Sequence, residues 1–207
     1  MKNFKLLLVA VVAILSISSC MKNEYVEDNS WQENQARIDS TLKKQKPILE
    51  AYAMEHLGDG RQYNDTTGIW FEVLETPTEE EAKAFEYSIS PQGSFVTPSA
   101  KVKYKGQLLD GTVFDEPSIA ADFLIRSGSS FQQGVIPAWT IAFYPETVVY
   151  NGQTYHTGLV EDGLKKGHKI RFIAPSPYCY DNKSSEKIPA DSPLDFTIEV
   201  VDIKEAN

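Results

Sequence analysis

The sequence predicts an α+β fold in which an antiparallel β-sheet wraps around one short helix. A strand is expected over residues 194–203, because apolar and polar residues alternate over residues 194–200, as is typical of a strand with one buried and one solvated face. The run over residues 101–115 begins with the same alternation and contains Asp110-Gly111, a dipeptide that favours a two-residue hairpin turn with positive φ at both positions. A short helix is expected to begin near Ile136, after this hairpin.

The N-terminal residues have the pattern of an export signal. Lys2 and Lys5 precede a continuous apolar run over residues 6–15, and Ile17-Ser-Ser-Cys20 follows where cleavage is expected. The run is too short to span a bilayer of about 30 Å, which takes about 20 residues as a helix. Because a hydrophobic residue, two small ones and a cysteine resemble a bacterial lipobox, residues 1–19 are predicted to be a lipoprotein signal peptide and Cys20 the lipidated residue. A plain secretory signal is the alternative.

Residues 20–30 are polar and acidic and are predicted to be a tether, and residues 31–60 an N-terminal helical segment. Ser30-Trp-Gln-Glu33 has the form of a capping box. Apolar side chains recur on one side at helical spacing, namely Ile38, Leu42, Leu49 and Tyr52. Pro47 has no backbone N–H and predicts a kink or break near Lys46. The helix either packs on its own domain or acts as a dimer handle or client-gripping arm.

Residues 66–207 are predicted to form the main domain. Further strands are expected over residues 68–75, 121–126 and 168–174, while residues 78–87 favour either a helical turn or an added strand. Asn151-Gly152 predicts a second hairpin. It falls in an insertion at about residues 143–162, since this connection is longer than the usual length of about 4–6 residues.

A family resemblance is carried by the run Tyr104-Lys-Gly-Gln-Leu-Leu-Asp-Gly-Thr-Val-Phe-Asp115. The run resembles the signature of the FKBP-type peptidyl-prolyl isomerases and departs from it at Lys105, where that family usually has Thr. Five further blocks follow in the family's order, at residues 123–128, 135–139, 178–180, 188–189 and 194–199. The resemblance implies an FKBP-like fold. Other departures are Pro137-Ala138, where the family has x-Gly, and Asp181, where it usually has Gly.

The resemblance also implies an active site. Trp139 matches the indole that forms the floor of the family's pocket, Tyr180 the phenol that donates to the ligand carbonyl, and Asp115 the carboxylate at its polar edge. The apolar wall is matched by Tyr104, Phe114, Phe123, Val135, Ile136 and Phe196. Tyr104, Phe114, Asp115 and Tyr180 are thereby predicted to be catalytic, and Phe123, Val135, Ile136, Trp139 and Phe196 to bind substrate. No cofactor is expected, and His56, His156 and His168 lack the spacing of a metal site.

The function implied is prolyl isomerisation that assists the folding of exported or envelope proteins. The expected partners are proline-containing polypeptides, and the expected location is the cell envelope, with the lipid anchor in a bacterial membrane on its periplasmic side or outer surface. The formal net charge of −9 argues against nucleic-acid binding. The alternative is a non-catalytic FKBP-like module that holds a partner through the pocket or the insertion, which could also cover the pocket mouth. The sequence makes no prediction of oligomeric state.

Overall fold

The structure is a computed structural model and describes residues 29–126 and 134–206. The predicted signal peptide, Cys20, tether residues 20–28 and the end of the block at residues 123–128 lie outside the described residues. By its contacts the chain divides into two units, residues 1–34 and residues 35–207. None of the helices in the described part combines the length and apolar character that crossing a membrane requires.

Helix α1 spans Ser30–His56 and continues through Pro47, so a break near Lys46 is excluded and a kink there stays a prediction. Leu49 and Ala53 are buried together with Ile173 of the sheet. This packing of the segment that follows Pro47 offsets the backbone hydrogen bond that proline cannot make, because tertiary contacts supply most of a helix's stability. Of the two roles predicted for the helix, packing on its own domain is confirmed for the segment that follows Pro47.

Nine strands occur among the described residues: β1 Gln62–Asn64, β2 Ile69–Glu75, β3 Pro98–Leu108, β4 Val113–Asp115, β5 Ala121–Leu124, β6 Thr147–Tyr150, β7 Gln153–His156, β8 Lys169–Ala174 and β9 Leu194–Glu205. The main sheet has the order β1-β2-β8-β9-β3-β4, and β5 also pairs with β3. Every pairing in it is antiparallel. The predicted α+β class and antiparallel sheet are therefore confirmed, while strand β1 was not predicted.

Two short helices complete the main domain. Helix α2, Glu79–Lys83, begins at a capping box in which Thr78 and Glu81 each bond to the other's backbone N–H. The start of the stretch 78–87 is therefore the predicted helical turn, while residues 84–87 form neither a helix nor a strand. Helix α3 is Pro137–Phe143, with proline at its first position, where its missing N–H has no cost. Trp139 and Phe143 of α3 are buried in the same core as the inward side chains of β3, β8 and β9, so the sheet wraps around α3.

Strand β9 departs from the predicted alternation at one position. Asp195 was predicted to lie on a wet face, but its residue is only 1 % exposed. Helix α1 supplies Tyr52, whose hydroxyl donates to the Asp195 carboxylate at 3.0 Å, and Arg171 donates to both carboxylate oxygens at 3.1 and 2.7 Å. Gln107 adds a bond at 2.9 Å. A buried carboxylate is tolerated when it is paired and hydrogen-bonded in this way.

The two predicted hairpin turns have different geometries. Asn151 and Gly152 have φ of 51° and 75° between paired Tyr150 and Gln153, so the predicted two-residue turn is confirmed. The turn at Asp110-Gly111 was predicted wrongly, because it is a three-residue loop closed by the bond from Leu108 N–H to Thr112 O. Gly111 alone of the two has positive φ, 87°. The Asp110 carboxylate instead accepts from the Thr112 N–H, which favours this longer loop.

The buried His168 makes stability depend on pH near neutrality. Its Nδ1 accepts from the Lys165 N–H at 2.9 Å, and burial lowers the pKa of His168, with Lys165 and Asp162 as its charged neighbours. The unfolded chain therefore binds more protons below the ordinary histidine pKa of about 6.5. The contribution of His168 to stability is complete above that pH and is lost as the pH falls through the lowered pKa of His168 in the folded protein.

We expect the free energy of unfolding, measured by urea titration, to decrease between pH 7.5 and pH 5.5. His168→Asn keeps an acceptor near the Lys165 N–H but does not titrate, so its decrease should be smaller. An equal decrease in both proteins would show that other groups cause it.

Candidate functional site

A cavity of about 410 Å³ opens at one side of the main domain, within the range of about 300–1,000 Å³ that is usual for small-molecule sites. The elements around it are β3, β4, β5, the start of α3, the loop before β9, and β9 itself. All nine residues predicted for the site line it, together with two that were not predicted: Tyr104, Phe114, Asp115, Phe123, Gly134, Val135, Ile136, Trp139, Tyr180, Lys183 and Phe196. The structure thus brings the predicted set together, while the role of each residue stays a prediction.

Trp139, in the first turn of α3, has three aromatic neighbours among the lining residues. Its ring centroid lies 5.0 Å from Tyr104, 5.2 Å from Phe123 and 5.8 Å from Phe196, with interplanar angles of 81°, 63° and 90°. Edge-to-face pairs at these distances are favourable. The indole is held on three sides by rings from β3, β5 and β9 and is 4 % exposed.

The indole N–H of Trp139 is buried and has no hydrogen-bond partner among the described residues. Leaving a buried donor unpaired costs about 1–3 kcal/mol. A purely apolar ring would avoid this cost, so stability alone does not account for tryptophan at this position.

Phe114 and Phe196 form the wall next to Gly106. Their centroids are 5.7 Å apart at 82°, and both side chains are buried. Gly106 pairs with Asp115 of β4 and with Phe196 of β9, and a Cβ added to Gly106 would overlap the Phe114 ring. The spacing Tyr104-x-Gly106 therefore has a physical reason: residues two apart on a strand share a face, and the second must leave room for the phenyl ring.

The polar edge of the cavity is formed by two phenols and a carboxylate. The Tyr104 hydroxyl donates to Asp115 Oδ2 at 2.5 Å. Burial, with this hydrogen bond as the next cause, raises the pKa of Tyr104 far above its ordinary value. Burial also raises the pKa of Tyr180, and the nearby Asp115 carboxylate acts in the same direction. Both phenols consequently stay protonated at neutral pH and can donate hydrogen bonds.

The sequence signals for the two additional lining residues were weak or absent. Lys183 lies in the polar loop after Tyr180, where Asp181 replaces the family's glycine. Gly134 had no recognisable signal. A Cβ there would lie 2.5 Å from the Arg126 carbonyl oxygen, which also accepts from the Val135 N–H at 3.1 Å. This close approach places Val135 and Ile136 at the cavity.

The predicted insertion contributes no lining residue to the cavity, although the structure describes all of residues 143–162. Its hairpin, β6 and β7, is instead attached to the turn at residues 91–95. The Tyr150 hydroxyl donates to the Pro91 carbonyl at 2.9 Å, and the Tyr150 ring lies where a side chain on Gly93 would be. The expectation that the insertion could cover the pocket mouth is therefore not supported by the residues that line the cavity.

Other reactive groups are not arranged for catalysis in the part of the chain that the structure describes. No group of three or more His, Cys, Asp or Glu side chains could hold a metal ion there. Cys179 is buried in the main core, and burial raises the pKa of its thiol strongly. It is a small packed core residue and not a nucleophile, because a nucleophilic cysteine needs a depressed pKa and exposure.

Comparison with known proteins gives a consistent result. The model of the family described as FKBP-type peptidyl-prolyl cis-trans isomerase matches residues 92–201, more than half of the 207 residues. The chain is 26 % identical over 191 residues to the FKBP-type peptidyl-prolyl cis-trans isomerase FkpA of Escherichia coli strain K12, covering 86 % of this chain and 57 % of that protein. It is 28 % identical over 103 residues to FK506-binding protein 4 of Saccharomyces cerevisiae, covering 50 % of this chain and 21 % of that one.

The chain therefore spans little more than half the length of the first of these relatives and about a fifth of the second. Among solved structures, a peptidyl-prolyl cis-trans isomerase from Pseudomonas syringae pv. tomato strain DC3000 superimposes with a TM-score of 0.52 at 20 % identity. The match covers 80 % of this chain and 95 % of that one. At this identity the likeness is one of fold.

Proposed function

We propose, since this chain belongs to the family of FKBP-type peptidyl-prolyl cis-trans isomerases, that it catalyses rotation about X-Pro peptide bonds in polypeptides. One observation carries the proposal. Nine residues that are dispersed along the chain between positions 104 and 196 line a single cavity with Trp139 held among three rings. Each of the nine is the residue type that the family's pocket requires, and the cavity has the size of a small-ligand site.

The apolar lining supports the chemistry directly. The barrier to rotation, about 18–20 kcal/mol, comes from amide resonance, and uncatalysed exchange takes about 10–100 s. Water stabilises the planar amide because its dipole is large, and the twisted state loses conjugation and much of that dipole. A cavity walled by Trp139, Phe123 and Phe196 therefore disfavours the planar ground state relative to the twisted transition state.

The polar edge supplies the remaining selectivity for the transition state. Tyr180 is proposed to donate a hydrogen bond to the carbonyl of the bound substrate, because its phenol lines the cavity and is protonated at neutral pH. Asp115 accepts from the Tyr104 hydroxyl at 2.5 Å, which holds the carboxylate and the phenol in one orientation before substrate arrives. Placed groups of this kind cost no reorganisation during the reaction.

The test is a prolyl exchange measurement on an Ala-Leu-Pro-Phe peptide, by protease coupling or by NMR exchange. We expect the exchange rate to rise in proportion to protein concentration and to fall when one of the family's macrolide inhibitors is added. A rate equal to that in buffer, with the domain shown to be folded by circular dichroism, would reject the isomerase proposal.

The alternative is a non-catalytic binding module that uses the insertion, and removing the hairpin tests whether the insertion takes part in isomerisation. Thr157 N–H bonds to Glu146 O at 2.8 Å, so residues 147–156 can be replaced by an Asn-Gly turn without opening the chain at that point. Because the insertion does not line the cavity, we expect prolyl isomerase activity of this variant to stay within about twofold of the parent. A large loss would instead assign the hairpin to the site.

We further propose that the mature protein is lipid-anchored through Cys20 at a bacterial cell envelope and assists the folding of exported proteins there. The support is the order of charged, apolar and small residues before Cys20. An acyl anchor attaches a protein to a membrane surface without crossing it.

Mass spectrometry of the full-length protein expressed in a bacterium tests the anchor. We expect an acylated N-terminal Cys20 in the membrane fraction, and loss of both the acyl mass and the membrane association in Cys20→Ala. An intact or unacylated N-terminus in the parent would reject the anchor and leave the isomerase proposal unaffected.

A further inference from the structure

The loop that carries Tyr180 has little regular structure of its own. A 3₁₀ turn at Ser176–Tyr178 is followed by no strand until Leu194 of β9. Connections of this length are uncommon unless they serve a function, and their conformation must be held by other parts of the protein. Within the loop, Asp181 N–H bonds to Ser176 O, and Asp191 N–H bonds to Asp181 O. These bonds place Asp181 at the centre of the loop's internal contacts.

Helix α1 binds this loop at both ends. Arg37 donates from both terminal nitrogens to the two carboxylate oxygens of Asp181, at 2.8 and 2.6 Å. Gln45, which is buried, donates to Ser176 Oγ and to the Asp191 carbonyl, each at 2.8 Å, and accepts from the Ser176 N–H. A two-point guanidinium–carboxylate contact fixes orientation as well as distance, so Arg37 constrains the peptide that directly follows Tyr180.

The backbone at Asp181 has a conformation that glycine adopts more easily than aspartate does. Its φ is 55°, in the left-handed region that residues other than glycine adopt less readily. The family usually has glycine here, which adopts that conformation freely. The aspartate adds what glycine cannot provide, a carboxylate for Arg37. Each side chain of the pair is about one-third exposed, and ion pairs that are this accessible to water contribute little to stability.

From these contacts we propose that Arg37 is a positioning residue, which acts through Asp181 to hold the Tyr180 phenol at the cavity. The inference rests on the proposed prolyl isomerase function and assigns helix α1 a part in it. Helix α1 is then a support for the site in addition to a packed element of the domain. The predicted substrate contact remains that of Tyr180, and Arg37 touches no substrate.

Two variants remove the charge pair from opposite sides. Arg37→Gln keeps a good helix former, and Asp181→Asn keeps a side chain that tolerates positive φ. For each we expect hydrogen exchange at the amides of Asp181, Lys183 and Asp191 to accelerate several-fold, and kcat/KM for the proline peptide to fall about threefold or more. The double variant should lose no more than either single one, because both remove the same interaction.

Lys83→Gln is the matched control, since Lys83 pairs with Glu79 at 3.0 Å on exposed α2, remote from the cavity lining. Lys83→Gln should change neither the hydrogen exchange at the three amides nor kcat/KM. A purely structural role for Arg37 would lower the unfolding temperature and leave kcat/KM of the folded protein unchanged, and that result overturns the proposal. Should Arg37→Gln fail to fold, Asp181→Asn decides, because it alters nothing on the helix.

The two proposals fail in distinguishable ways. If the parent protein is inactive, the isomerase function is rejected. Hydrogen exchange at the amides of Asp181, Lys183 and Asp191 still tests whether Arg37 holds the loop. Unchanged exchange at the three amides in both variants overturns the positioning role, whatever the activity of the parent.

Discussion

Replacing Asp115 with alanine is expected to lower kcat/KM for prolyl isomerisation by about tenfold to a hundredfold, the equivalent of one charge-assisted hydrogen bond of about 1.5–3 kcal/mol. Asp115 is exposed at the end of β4, so the substitution leaves no cavity in the core. It removes the acceptor of the Tyr104 hydroxyl, and with it the fixed orientation of the polar edge. The loss should therefore appear in activity and hardly at all in stability.

Glu116→Ala provides the control for Asp115→Ala. Glu116 is the next residue, is likewise an exposed carboxylate, and does not line the cavity. Its activity should match that of the parent, and Asp115→Asn, which retains one acceptor oxygen, should fall between the two. The assignment of Asp115 to the site is wrong if Asp115→Ala and Glu116→Ala have the same activity.

Gly106→Ala is expected to lower both activity and stability. The added methyl group would overlap the Phe114 ring and crowd the Phe196 ring, and forcing extra volume into a packed site costs about 1–3 kcal/mol. Phe114 would have to leave its place in the cavity wall. Urea unfolding and the peptide assay measure the two effects separately.

A second substitution distinguishes this steric mechanism from a change in strand propensity. Phe114→Leu removes the ring atoms that the new methyl group meets. In the Gly106→Ala background it should recover part of the lost stability, while activity stays low because the phenyl ring is absent. If Phe114→Leu destabilises both backgrounds equally, the overlap with Phe114 is not the cause.

The site was predictable from the sequence to the extent that its residues lie in short runs of fixed spacing. Within such a run, strand period and turn chemistry decide which side chains share a face. Tyr104 and Gly106 are an example within the site. The Asn151-Gly152 turn is an example outside it. Asp110-Gly111 shows the limit of this reasoning, because its aspartate can either adopt positive φ or accept from the following backbone N–H, and the sequence does not distinguish these two conformations.

The effects of helix α1 were not predictable in the same way. Asp195 was expected on a solvated face because the alternation of β9 says which residues share a face and not what covers it. The hydroxyl that buries and satisfies it belongs to Tyr52, 143 residues earlier. The continuity of α1 through Pro47 has the same origin, since the packing of Leu49 and Ala53 against the sheet lies outside any local rule for proline.

By itself, the sequence determined the α+β class, the position of most strands, the family and nine of the eleven residues that line the cavity. These depend on periodicity and on motif spacing, which are properties of neighbouring residues. Only the tertiary structure decided that α1 covers the sheet, that Asp195 is buried and that Arg37 holds Asp181, 144 residues away. Burial and ion pairing depend on which distant segment arrives at a surface, and that is settled by the packing of the whole domain.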